Sequence, residues 1–247
     1  MGYKTSIQWT QSTWNPWAGC TKVSPGCTRC YAEAIMHRWR RDFSTVTRAS
    51  HNSFYVPLSW KRPRLVFTCS MSDFFHKQAD QWRAEAWTIM KLTPQHTYQV
   101  LTKRPGLAVA WYKTHGWLSN VWLGTSVESQ KYAPRIDVLA RVPAKVRFIS
   151  AEPLLGPLRL IPYLFCCACG GVPCICKGVA FHQVIVGGES GPGARPMNLD
   201  WARDLRDQCQ KAGVSFFLKQ LGGFPDKRGG LKATLDGQLW DEMPAKE

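Results

Sequence analysis

Val184-Ile185-Val186-Gly187-Gly188-Glu189 runs from three apolar residues through two glycines to an acid. A short apolar run bounded by small residues reads as a strand buried in a parallel sheet. The same design recurs at Leu65-Val66-Phe67-Thr68-Cys69-Ser70, Tyr98-Gln99-Val100-Leu101-Thr102-Lys103 and Val121-Trp122-Leu123-Gly124-Thr125-Ser126. It returns at Val146-Arg147-Phe148-Ile149-Ser150-Ala151 and Phe216-Phe217-Leu218-Lys219-Gln220. Helical patterns over 79–91, 106–113, 135–140 and 200–212 lie between several of these runs. Strands that alternate with helices build parallel βα units. With a first strand before Cys20 the count is about seven. The expected fold is therefore α/β, a partial or nearly closed parallel βα barrel, formed as one domain over residues 1–247.

Polar residues close the runs. Ser70, Ser72 and Asp73 follow the second strand, and Lys103 and Arg104 the third. Thr125, Ser126 and Glu128 follow the fourth, Glu152 the fifth, Glu189 the sixth, and Lys219 and Gln220 the seventh. In βα barrels the C-terminal strand ends face one mouth, where the chemistry is done. Asp73 and Ser126 are also good N-cap residues for the helices that follow. The glycines before Glu189 allow close backbone approach, but the G-x-G-x-x-G spacing of a dinucleotide site is absent.

Cys20-Thr21-Lys22-Val23-Ser24-Pro25-Gly26-Cys27-Thr28-Arg29-Cys30 places three thiols at C-x6-C-x2-C spacing. An aromatic approach with Trp9, Trp14 and Trp17 precedes it, and a helical pattern over 32–41 follows. Thiolates are soft ligands that suit iron–sulfur clusters and zinc. The triplet alone allows a cluster with one iron left open. It equally allows a structural zinc site closed by a fourth ligand such as His37. A second group, Cys166, Cys167, Cys169, Cys174 and Cys176, forms a small insertion (163–180) between the fifth and sixth strands. Paired thiols around a Gly-Gly turn suggest a zinc knuckle on Cys166, Cys169, Cys174 and Cys176, against the alternative of free thiols in a loop. Cys69 and Cys209 read as small buried hydrophobes.

Net charge is +15, from 32 Lys+Arg against 17 Asp+Glu. Such an excess points to a polyanionic partner, most often nucleic acid. Arg38, Arg40, Arg41, Arg48, Lys61, Arg62 and Arg64 crowd the stretch after the cysteine loop, with Trp39, Phe54, Tyr55 and Trp60 among them. This reads either as a basic, aromatic flap for DNA or as a solvated face. No apolar run opens the chain and none reaches 18 residues, so neither a signal peptide nor a membrane partner is expected. The ten cysteines are expected to be reduced in a cytoplasm, which favours metal ligation over disulfides.

Several motifs in order sharpen the reading: Trp14-Asn15-Pro16 with Gly19-Cys20 and Cys27…Cys30-Tyr31-Ala32-Glu33, then Ser70-Met71-Ser72-Asp73-Phe74-Phe75 and Leu101-Thr102-Lys103-Arg104-Pro105. Ser150-Ala151-Glu152-Pro153-Leu154-Leu155-Gly156-Pro157 and Gly187-Gly188-Glu189-Ser190-Gly191-Pro192 complete them. Together they resemble a phage-associated branch of the radical S-adenosylmethionine (radical SAM) superfamily, over roughly residues 5–222. This chain widens the superfamily's usual C-x3-C-x2-C to C-x6-C-x2-C.

The resemblance implies a TIM-barrel-like fold and a [4Fe–4S] cluster on Cys20, Cys27 and Cys30, with S-adenosylmethionine on the open iron. It implies cleavage to methionine and a 5′-deoxyadenosyl radical, with flavodoxin or ferredoxin as reductant. It also makes an auxiliary iron–sulfur cluster a rival to zinc at 166–176. On this footing Ser70, Ser72, Asp73, Thr125, Ser126 and Glu128 are expected to hold the methionine ammonium and the ribose. Lys103, Glu152 and Glu189 are expected at the reacting centre, Lys103 against an anion. With the charge, the expected substrate is a modified pyrimidine base in DNA whose substituent is rearranged. The alternatives are a radical SAM enzyme on RNA or a small metabolite, and a zinc-stabilised nucleic-acid-binding module without catalysis.

Overall fold

The computed structural model describes residues 5–164, 181–229 and 232–245. The elements begin β1 (Ser12–Thr13), β2 (Trp17–Ala18), α1 (Tyr31–Arg38), β3 (Thr47–Arg48), α2 (His51–Phe54) and β4 (Leu65–Thr68). Next come α3 (Asp80–Leu92), β5 (Thr97–Thr102), α4 (Pro105–His115), β6 (Val121–Ser126), α5 (Pro134–Leu139) and β7 (Arg147–Ala151). The chain finishes with α6 (Ile161–Leu164), β8 (Gln183–Gly187), α7 (Leu199–Ala212), β9 (Ser215–Gln220), β10 (Thr234–Leu235) and β11 (Gln238–Leu239).

Seven strands form one sheet in the order β1-β4-β5-β6-β7-β8-β9. The pairs β1–β4, β4–β5, β7–β8 and β8–β9 are parallel. A doubly wound sheet reverses its strand order at a switch point. Here the order simply follows the chain, so each βα unit adds its strand to the same growing edge, as in βα barrels. The order is open, with β1 and β9 at its ends. The expected α/β class, its seven strands and its parallel arrangement therefore hold at the level of topology. β6 and β8 are buried along their whole lengths, which is why they read as unbroken apolar runs rather than alternating ones.

Two compact units divide the chain: Met1–Gly124 with Val142–Lys145, and Thr125–Arg141 with Val146–Glu247. Trp9, Trp14, Trp17, Phe54, Phe74 and Phe75 are buried in the first. The indole of Trp14 lies 6.3 Å from the Phe54 ring and 5.7 Å from Tyr98. Its N–H donates to the Phe54 carbonyl at 3.1 Å, and that of Trp17 to the Asp73 carbonyl at 3.3 Å. At Trp14 and Trp17 the aromatic approach to the cysteine loop is thus packing with its polar handle paired.

In the second unit α7 shows how sequence sets an element. The Asn198 side chain caps its start by accepting from the Asp200 amide, and Gly213 ends it at φ 66°. Ala202, Leu205, Cys209 and Ala212 form its buried stripe, at the spacing of one helical face. Beyond β9, the tail returns alongside that strand. The Leu218 amide donates to the Trp240 carbonyl at 2.8 Å, and the Phe216 amide to the Glu242 carboxylate at 2.8 Å.

Smaller elements complete the chain. The stretch 42–61 contains β3 and α2, and β3 pairs antiparallel with β2. β10 and β11 form a hairpin whose two turn residues, Asp236 and Gly237, have φ 55° and 75°. Asp-Gly is the usual signal for such a turn. Cys69 and Cys209 are buried, as small hydrophobes would be. Cys166, Cys169, Cys174 and Cys176 lie outside the described residues. Among the described residues no helix is long and apolar enough to cross a membrane.

Candidate functional site

β1 hands the chain to the cysteine loop. At Gly19 the backbone turns with φ 104°, and a Cβ there would lie 2.4 Å from the Thr45 carbonyl oxygen. Cys20 follows, its amide donating to the Phe43 carbonyl at 2.7 Å. Cys27 ends a single 3-10 turn and Cys30 is the N-cap of α1. All three are free, half-buried thiols. Burial pushes the Cys20 pKa up, and Asp73 and Cys27 add to this while Arg104 opposes it. Burial likewise raises Cys30, against the amides of Glu33 and Ala32 and the Lys103 ammonium. Cys27 adds to the rise at both, so its sulfur stands within electrostatic reach of the other two.

Arg104 fastens this loop to the end of β5. One guanidinium nitrogen donates to Asp73 Oδ2 at 3.0 Å and lies 3.7 Å from Cys20 Sγ. The other donates to the Thr21 carbonyl at 2.8 Å and to Thr21 Oγ1 at 3.0 Å. Thr21 Oγ1 also meets His76 Nε2 at 3.0 Å. Burial and Arg104 hold the His76 pKa below the usual imidazole value, and its Nδ1 accepts from the Gln78 amide. Asp73 is buried and accepts from the Phe75 amide, Thr102 Oγ1, the Lys103 amide and Arg104.

The expected cofactor residues Ser70 and Ser72 are also committed to this loop. Asn15 Oδ1 accepts from the Ser70 and Met71 amides at 2.7 and 3.0 Å, and Asn15 Nδ2 donates to Ser70 Oγ. Ser72 Oγ donates to the Gly19 carbonyl, and Tyr31 Oη to the Ser70 carbonyl. Lys103 differs. Among the described residues its ammonium has no hydrogen bond or ion pair, and its field falls on Cys30.

In the second unit the acids are paired. Glu128 is buried and accepts from Arg135 at 2.9 Å, the same nitrogen reaching the Ser126 carbonyl. Thr125 and Ser126 are buried at the end of β6. Glu152 accepts from Lys219 at 2.7 Å and from Ser150 Oγ at 3.1 Å. Glu189 holds Arg195 through both carboxylate oxygens and also accepts the Arg195 amide at 3.0 Å.

The first loop carries the soft donors an iron–sulfur cluster needs, with Lys103 and Arg104 nearby to offset thiolate charge. Among the described residues no group of three or more His, Cys, Asp or Glu already stands ready to hold a metal. Loading would displace the thiol protons. His37 sits seven residues into the helix that Cys30 caps, about 10 Å along its axis, so it is poorly placed to close a zinc site.

The basic flap is smaller than expected. Trp39 is 59% exposed, but Phe54 and Trp60 are core residues. Arg48 stacks 3.7 Å from the Phe54 ring centroid and pairs with Glu85, and Arg64 donates to Ser12 Oγ. Arg38, Arg40, Arg41, Lys61 and Arg62 remain on the surface. Interleaved basic and aromatic residues do not reveal which aromatics point inward, and these two fill the core.

A family model described as Protein of unknown function (DUF5131) matches residues 4–244. The chain belongs to the DUF5131 family. No curated protein matches it, and no solved structure does. The family description assigns no activity to a DUF5131 chain.

Sequence reasoning places Arg104 among the polar strand ends and Asn15 in a motif, but assigns neither the task of holding the DUF5131 loop in place. One signal exists for Arg104. It directly precedes Pro105, the first residue of α4, a proline position that marks Arg104 as the last residue before the helix. Asn15 carries no local signal, because its partners lie 55 and 56 residues away.

Proposed function

We propose that this DUF5131 chain is a radical SAM enzyme that rearranges the substituent of a modified pyrimidine base in DNA. One observation carries the reading. Three free thiols sit on a loop after the first strand of a singly wound parallel sheet, and that loop is tied down by Arg104, Asn15 and Ser72. Cys20, Cys27 and Cys30 would hold a [4Fe–4S] cluster. When bound, that cluster supplies the electron that cleaves S-adenosylmethionine into methionine and a 5′-deoxyadenosyl radical, which takes a hydrogen atom from an unactivated carbon.

The chain's own residues place the reactants. Lys103 has its ammonium free among the described residues, ready for a carboxylate of S-adenosylmethionine or an anionic substrate group. Asp73, Ser70 and Ser72 act by fixing the loop, since their polar atoms are already engaged. Thr125, Ser126 and Glu128, at the end of β6, remain the proposed contacts to ribose and ammonium. Glu152 and Glu189 are proposed for the reacting centre on the resemblance alone, and each is paired with a cation. Flavodoxin or ferredoxin would supply the electron. A base must leave the duplex to be reached, at a cost of a few kcal/mol. Trp39, exposed among Arg38, Arg40 and Arg41, suits stacking in its place.

Anaerobic reconstitution is expected to load about four irons, and the Cys20→Ala, Cys27→Ala, Cys30→Ala triple variant none. Unchanged iron in that variant, or zinc as the only metal, overturns the cluster reading. Duplex DNA binding is expected to weaken as salt rises. Arg38→Ala, Arg40→Ala and Arg41→Ala together should flatten the log–log slope by about 0.9 for each phosphate no longer neutralised. Salt-independent binding, or 5′-deoxyadenosine formation indifferent to every nucleic acid offered, removes DNA as substrate.

A further inference from the structure

We propose that His76 is a positioning residue that works as an acid-released latch: its neutral ring holds the cysteine loop at Thr21, and a second proton on that ring lets the loop go. The latch lies within the first unit and stands on hydrogen-bond geometry. Its bearing on cluster loading rests on the cluster reading above.

The neighbours of the ring fix its tautomer. His76 is 4% exposed and precedes the single 3-10 turn Lys77–Ala79. Its Nδ1 accepts the Gln78 amide at 3.3 Å. An amide N–H can only donate, so Nδ1 carries no hydrogen and the one N–H of the neutral ring is at Nε2. Nε2 therefore donates to Thr21 Oγ1 at 3.0 Å. That hydroxyl also accepts from Arg104 at 3.0 Å, and its two lone pairs suffice for both.

The ring closes a circuit around Cys20. On one side it holds Thr21, the next residue along the chain. On the other, Gln78 Oε1 accepts the Val46 amide at 2.8 Å. The Phe43 carbonyl of that same segment accepts the Cys20 amide at 2.7 Å. The ring thus ties the loop directly, and ties the segment behind it through Gln78. Its own backbone is pinned as well. The His76 amide donates to the Asp73 carbonyl at 3.1 Å, and its carbonyl accepts from Arg83 at 2.7 Å.

A second proton would have to go to Nδ1, where the new N–H would face the N–H of Gln78. Arg104 and Arg83 repel a charged ring, while Asp73 and Asp80 attract it. Both acids are already paired with those arginines. Burial is the largest of the causes that hold the ring's pKa down, because a buried cation loses its hydration. The held state therefore prefers the neutral ring, and a ring released into water returns to a pKa of about 6.5. The hold is complete above that value and is lost as pH falls below it.

The test is hydrogen exchange with mass spectrometry on the metal-free full chain, read at the Cys20 amide with β5 amides as reference. Exchange at a protected amide reports local opening. His76→Gln keeps a donor for Thr21 but takes no proton. His76→Asn keeps an acceptor for the Gln78 amide but falls short of Thr21. Comparison at a single pH cancels the intrinsic pH dependence of exchange. Between about pH 7.5 and about pH 5 the ratio of wild type to His76→Gln should rise by up to about thirtyfold, the factor by which a ring of pKa about 6.5 favours its protonated form at the lower pH. The β5 amides should keep a constant ratio. At about pH 7.5 His76→Asn should exchange about two- to tenfold faster than wild type, as the loss of one hydrogen bond implies. A ratio that does not change with pH, or β5 amides that follow it, overturns the latch. So does wild-type exchange in His76→Asn at about pH 7.5. Because this readout needs no iron, its failure is distinct from failure of the cluster reading, which iron content tests.

Discussion

Replacing Arg104 with alanine is expected to lower the unfolding free energy by about 3–5 kcal/mol. The buried Asp73 carboxylate would lose the guanidinium 3.0 Å away, while keeping its three other donors. Removing one member of a buried pair is costly because the other charge stays behind without compensation. The same change frees the Thr21 carbonyl and hydroxyl and removes the guanidinium beside Cys20. Cluster loading should therefore fall further than the lost stability explains. Chemical denaturation reads the first effect, and iron content at a temperature where the variant is fully folded reads the second. Arg104→Lys should recover part of the stability but little of the loading, since one ammonium cannot span Asp73, Thr21 and Cys20 together. A variant that unfolds at the wild-type denaturant concentration would show that the clamp contributes nothing.

Gly19→Ala is expected to be as damaging by another route. At φ 104° an L side chain is strained, and its Cβ would meet the Thr45 oxygen at 2.4 Å. Strain of this kind costs about 1–3 kcal/mol by itself, and the overlap must be relieved by moving the 42–46 segment or the cysteine loop. Either movement disturbs the Gly19 carbonyl that Ser72 holds and the Cys20 amide bonded to Phe43. Reduced expression of folded protein, a lower unfolding midpoint and poor iron loading should appear together. Wild-type loading in Gly19→Ala would mean that the loop tolerates a different entry path.

What can be read from sequence depends on how far each signal reaches. β6 and β8 are legible because strands buried on both faces are written as unbroken apolar runs. β2 and β3 are not, since two residues cannot establish a period. Asp236-Gly237 carries a turn signal, but the two-residue strands around it are too short to mark a hairpin. The thiols announce themselves by spacing, yet the groups that hold them do not. Asn15 works through partners more than fifty residues away, and Arg104 joins Asp73, 31 residues away, to Thr21, 83 residues away. Phe54 and Trp60 fall in the core and not on a flap, because composition records that aromatics stand among arginines, not which way they face. The pairing of Glu189 with Arg195 spans six residues in a segment with no regular period, so nothing local marks it.

The returning tail has a consequence for the protein's behaviour in company. β9 is the last strand of its sheet, and an uncovered edge offers its amides to any extended peptide. Here the Phe216 and Leu218 amides are taken by Glu242 and Trp240. The polypeptide acts as its own stopper against edge-to-edge polymerisation. A chain cut ahead of Trp240 would lose that guard, and a fusion partner joined there would inherit a sticky ribbon in place of a finished border.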